Sequence, residues 1–88
     1  MRTRTTHTFL KQLAELPDGI REQVEEFTFH ELPKLNSLNN IANIKKLKGY
    51  KSCFRVRFGN YRLGIEIEED VAVLRVVMHR RNVYRRFP

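Results

Sequence analysis

At 88 residues, 41% of them apolar and 31% charged, the chain has the size and composition of one domain, residues 1–88, built on a single core. No apolar run approaches the roughly 18 residues of a membrane span, Met1 to His7 offer no stretch for a signal peptide, and the lone Cys53 excludes an internal disulfide or a cysteine-based zinc site; a cytoplasmic protein with no membrane, metal or cofactor is expected. The net charge of +7 is uneven, −1 over residues 1–44 and +8 over residues 45–88, where eight of the twelve cations are Arg, and an Arg-rich half favours a polyanionic partner, nucleic acid first.

The opening residues alternate weakly and suit a short edge strand. Phe9, Leu13 and Leu16 then recur at spacings of four and three, the stripe of an amphipathic helix capped by Thr6 or Thr8 and ended by Pro17-Asp18-Gly19. Asp18 is placed to cap a second helix with Ile20, Val24 and Phe27 on one face and Arg21, Glu22, Glu25 and Glu26 on the other. Pro33 stops or kinks it, and the two helices form a hairpin. Residues 34–49 carry aliphatic residues three apart, yet Asn36, Asn39, Asn40 and Asn43 discourage a helix, so an irregular loop is expected.

The back half reads as strands. Phe54, Val56 and Phe58 alternate with Arg55 and Arg57, Gly59-Asn60 marks a two-residue turn, and Tyr61, Leu63, Ile65 and Ile67 alternate with Arg62, Gly64 and Glu66. Glu68-Glu69-Asp70 is a solvated turn rather than a metal cluster. Val71 to Met78 is apolar on nearly both faces and therefore central and covered. His79 to Pro88 forms a short helix or an arm. The expected fold is α+β, with an N-terminal edge strand and a helical hairpin packed on an antiparallel-rich sheet (β-α-α-β-β-β), followed by that C-terminal element.

Alternation also assigns a function to one face. If the apolar residues of both arginine-bearing strands face the helices, Arg55, Arg57 and Arg62 face away, and Arg80 and Arg81 follow at the end of the central strand. Like charges on adjacent strands cost stability, so their convergence calls for a bound anion. Glu66 and Glu68 are the acids that could instead neutralise them.

The ordered set Lys46-Leu47-Lys48-Gly49-Tyr50, Phe54-Arg55-Val56-Arg57, Gly59-Asn60-Tyr61-Arg62 and Val76 to Tyr84 resembles the back half of RelE-type toxins of the RelE/ParE superfamily. Phe9-Leu10-Lys11 and Leu13 to Pro17 match their first helix. The resemblance implies a toxin that cleaves mRNA in the ribosomal A site without a metal, the ribose 2′-hydroxyl attacking the adjacent phosphate. By that resemblance Arg62 stabilises the phosphate, Arg80 supplies acid or charge stabilisation, and Tyr84 orients or stacks on a base. Better-known members carry lysines where this chain has Arg55 and Arg57; arginine is effectively never deprotonated, so these two bind phosphate and are not the base. His79, beside Arg80 and Arg81, is the candidate base because an imidazole can take up a proton near neutral pH. Lys48 and Lys51 contact phosphate and are fallback bases. His7 and His30 are read as surface or helix residues. An antitoxin that covers the basic face is implied, with DNA contacted only through it. A ParE-like inhibitor of DNA gyrase and a plain RNA-binding module are the competing readings.

Overall fold

The apolar alternation determines where the core lies. β3 (Cys53–Phe58) and β4 (Tyr61–Glu68) pair antiparallel with Phe54 opposite Ile65 and Val56 opposite Leu63, so the inward side chains of both strands stand against one another. In the computed structural model, which describes residues 1–88, these strands belong to a five-stranded sheet of order β1-β5-β4-β3-β2. β5 (Val71–His79) runs antiparallel to β4, and β1 (Arg2–Thr5) lies parallel to β5 as the predicted edge strand. The α+β class expected from the sequence holds.

The opposite edge differs from expectation. Within the segment read as an irregular loop, Ile44–Lys46 form β2, antiparallel to β3. Ile44 lies opposite Val56 and packs on the core, which draws these three residues into the ladder. The asparagines stay in the preceding turns, where Asn40 takes a left-handed φ of 65° that asparagine tolerates. The chain order becomes β-α-α-β-β-β-β-α.

α1 (His7–Ala14) and α2 (Asp18–Glu26) form the hairpin. Thr6 caps α1: its Oγ1 accepts the Phe9 N–H at 3.1 Å and donates to the Leu74 carbonyl at 2.9 Å, tying the helix start to β5. Farther along, Gln12 Oε1 accepts the Val77 N–H at 2.9 Å, where β1 has already ended. Pro17, not Asp18, occupies the cap position of α2, and Asp18 pairs instead with Arg21 at 3.0 Å. α2 runs on through a π turn, Phe27–Glu31, and a 3-10 turn, Leu32–Lys34, that contains Pro33; Phe27, Thr28 and Leu32 are buried there. No helix is long and apolar enough to cross a membrane.

Fifteen buried residues, among them Phe9, Val24, Leu32, Val56, Leu63, Ile65 and Leu74, fill the layer between hairpin and sheet. A smaller cluster of Leu47, Cys53, Met78, Val83 and Phe87 lies on the other face, beneath α3 (Arg80–Arg86). β5 is therefore covered on both sides, as its composition predicts. A bulge leaves Arg75 without a partner residue on β4, so that Leu74 and Val77 both reach the main core. Burial pushes the Cys53 thiol above its ordinary pKa, and Glu66 adds to the shift while Arg75 and a hydrogen bond with Ser52 oppose it.

Phe9→Ala, which empties a fully buried site, is expected to lower unfolding free energy by about 3–5 kcal/mol in urea titrations. At pH 8, Cys53 is expected to react with a soluble aromatic disulfide far more slowly in the folded protein than in the urea-unfolded chain, since both burial and the raised pKa withhold the thiolate. Equal rates would contradict this placement.

Candidate active site

The register that buries the apolar residues of β3 and β4 sets their cations side by side on the other face. Arg57 lies directly opposite Arg62, and Arg55 opposite both Gly64 on one side and Lys45 of β2 on the other. These strands and α3 enclose a groove of about 330 Å³ lined by Ala42, Asn43, Ile44, Lys45, Arg55, Arg57, Arg62 and Tyr84. No carboxylate is in that lining.

The acids nearest in sequence to these arginines are engaged elsewhere. Glu66 pairs with Arg75 at 3.0 Å, and Glu68 is shared between Arg75 and Arg4, the latter at 3.6 Å. None of the ion pairs reaches Lys45, Arg57, Arg62 or Arg80. Opposed like charges without counter-charges disfavour the empty face and favour an anion within it.

The predicted residues divide into those that meet in the groove and those around it. Arg62 is braced at the β3–β4 turn, its Nη1 donating to the carbonyls of Gly59 at 2.8 Å and Tyr61 at 2.9 Å. Gly59 takes a φ of 59° in that turn, the left-handed region open to glycine. Arg57 is exposed, and its backbone N–H is bound by the Asn43 carbonyl at 2.9 Å. Tyr84 of α3 is 59% exposed, with the Arg55 guanidinium 4.9 Å from its ring centroid.

His79, Arg80 and Arg81 stand at the head of the groove rather than in its lining. His79 is opposite Tyr61, their rings edge to face at 5.3 Å, and the Arg80 N–H donates to the Asn60 carbonyl at 2.8 Å. Both contacts hold the start of α3 against the turn that carries Arg62. His79 caps α3: its Nδ1 accepts the Arg81 N–H at 3.2 Å. That contact engages Nδ1 with the first turn of α3. The side chains of Arg80 and Arg81 are exposed. Lys48 and Lys51 lie on the β2–β3 connection, exposed and outside the groove lining.

Lys45 and Asn43 line the groove but were not singled out from the sequence. The signal for Lys45 is its alternation with Ile44, which becomes readable only once those residues are recognised as a strand. Because arginine does not give up its proton, Lys45 and Tyr84 are the lining side chains able to exchange one.

A family model described as ParE toxin of type II toxin-antitoxin system, parDE, matches residues 4–84. The chain is 43% identical over 82 residues to Toxin RelE3 of Methanocaldococcus jannaschii, covering 92% of both proteins. Among solved structures it is similar to the toxin of the RelB-RelE antitoxin-toxin complex from Methanococcus jannaschii, with a TM-score of 0.80 and 40% identity over 97% of this chain and 99% of that one. It is also similar to a chain of the RelBE2 toxin-antitoxin complex from Mycobacterium tuberculosis, with a TM-score of 0.65, 30% identity, and coverage of 89% and 95%.

If His79 serves as a helix cap, His79→Ala should cost about 0.5–2 kcal/mol of stability in urea titrations, and His79→Asn, which retains a capping acceptor, should recover most of it. An equal loss in both variants would contradict the capping role.

Proposed function

The chain belongs to the RelE/ParE superfamily of toxins of type II toxin–antitoxin systems, and from that premise we propose that it is an endoribonuclease that cuts mRNA in the ribosomal A site. The observation that carries this reading is the groove in which Arg57, Arg62 and Lys45 converge beside Tyr84 with no carboxylate among them.

The reaction is attack of a ribose 2′-oxygen on the adjacent phosphorus, with departure of the 5′-oxygen of the next nucleotide. It leaves a 2′,3′-cyclic phosphate and a 5′-hydroxyl and consumes no water. The phosphorane carries more negative charge than the starting diester, so fixed cations stabilise it more than the ground state. Arg62, already braced by two carbonyls, and Arg57 supply that charge without reorganising. Arg80 adds charge from the head of the groove, together with Arg81. Tyr84 offers a ring face on which an unstacked base can lie. An ammonium at Lys45 can protonate the departing 5′-oxygen while the 2′-hydroxyl proton passes to solvent water, from which Lys45 is reprotonated, and this moves the proton-transfer role from His79 to a side chain inside the groove. Lys48 and Lys51 extend the cationic surface toward ribosomal RNA.

An antitoxin partner suits the same face, and a similar chain has been solved in a RelB-RelE antitoxin-toxin complex. The +8 half invites an acidic or amphipathic segment, and DNA would be reached only through that partner. Gyrase inhibition is the second reading, favoured by the ParE description of the matching family; it gives no use to a groove that combines Arg57, Arg62, Lys45 and Tyr84.

Primer extension on an mRNA held by translating ribosomes tests the proposal. Cuts within the A-site codon are expected for the wild type and none on the same RNA without ribosomes. Arg62→Ala should slow cleavage by about 100- to 1,000-fold, the cost of losing one fixed charge stabiliser. His79→Asn should cleave close to the wild-type rate. No cuts by the wild type, together with inhibited gyrase supercoiling, would replace this reading with the second.

A further inference from the structure

Arg55 was expected on the phosphate, but its guanidinium is turned another way. Its Nη2 donates to the Phe87 carbonyl at 2.8 Å, its Cζ stands over the Tyr84 ring 4.9 Å from the centroid, and its Nε is buried without a partner. Nε and Nη2 form the side-on edge with which arginine grips an oxyanion bidentately, and here that edge faces the protein.

The residue opposite Arg55 on β4 is Gly64. A Cβ there would stand 2.8 Å from Phe87 Cγ and Cδ2 and 2.9 Å from Val76 Cγ2. The missing side chain is what lets the Phe87 ring lie against the strand, 5% exposed. One cross-strand pair thus holds the end of α3 twice, by a slot for the ring and by a donor for the carbonyl next to it.

We propose that Arg55 is a positioning residue: it acts through α3, holding Tyr84 at the groove so that the ring meets the RNA base in a fixed orientation. The Arg55 guanidinium covers one face of the Tyr84 ring and leaves the exposed remainder for the base. The assignment rests on the reading that Tyr84 serves RNA in this groove. The hold itself stands on the contacts to Phe87 and Tyr84.

Two measurements on Arg55→Lys test it, with the intact chain in both. Lysine keeps a cation for a phosphate but cannot stack on Tyr84 while donating to Phe87. In ribosome cleavage assays, Arg55→Lys should lower kcat about tenfold with little change in KM. In a Tyr84→Ala background the same substitution should change the rate less than about twofold, because the residue through which it acts is gone. A wild-type rate for Arg55→Lys, or losses that multiply across the two sites, would overturn the proposal in favour of direct phosphate contact. In amide hydrogen exchange, the α3 amides, including the Phe87 N–H bound to the Val83 carbonyl, should exchange about tenfold faster in Arg55→Lys, while β4 and β5 amides keep their protection. Unchanged α3 exchange would overturn the proposal whatever the cleavage result. Should the wild type fail to cleave RNA, faster α3 exchange would still establish the hold, and only the reading of the groove would fall.

Discussion

Everything on the working face depends on the register between β3 and β4. Each outward cation is fixed because its neighbours along the strand are committed to the core: Phe54, Val56 and Phe58 on one strand, Leu63 and Ile65 on the other. A slip of one residue would carry arginines into the hydrophobic layer and phenylalanines into water, a change no local adjustment could offset. The hydrophobic core therefore acts at a distance. It keeps Arg57 opposed to Arg62 although the two repel, so the cationic face is fixed in advance of any anion it meets.

The second constraint is the segregation of acids. Arg75, brought outward at the bulge in β5, binds both Glu66 and Glu68, and Arg4 of the edge strand shares the latter. These carboxylates lie on the same sheet face as the groove yet are tied to its other side. The ion pairs are half-exposed and contribute little to stability on their own. Their larger effect is to keep counter-charges away from Lys45, Arg57 and Arg62.

Much of this was legible in the sequence because it follows from periodicity. Alternation through residues 54–67 located the strands and the arginine face, and spacings of three and four located the hairpin helices. The parts that escaped are those set by long-range contact. Ile44–Lys46 is too short and too close to asparagines to show a period, and its place in the sheet comes from Val56 across the ladder. Lys45 was missed with it. His79 is singled out by its neighbours in sequence, whereas the contact of its Nδ1 with the helix that begins beside it is visible only in the fold. Arg55 looked equivalent to Arg57. What separates them is the glycine opposite one and the arginine opposite the other, and the tail that fills the space over the glycine.

The proposed function has this carboxylate-free cationic groove promote attack by the substrate's own 2′-hydroxyl. The most direct test is an mRNA carrying a single 2′-deoxynucleotide on the 5′ side of the scissile bond, presented in the A site of a stalled ribosome. Its toxin occupancy should match that of the all-ribose message. No cleavage is expected at that bond, while the all-ribose control yields a 2′,3′-cyclic phosphate end. Cleavage of the deoxy-substituted message at a comparable rate would mean that water is the nucleophile, and would rule out attack by the 2′-hydroxyl.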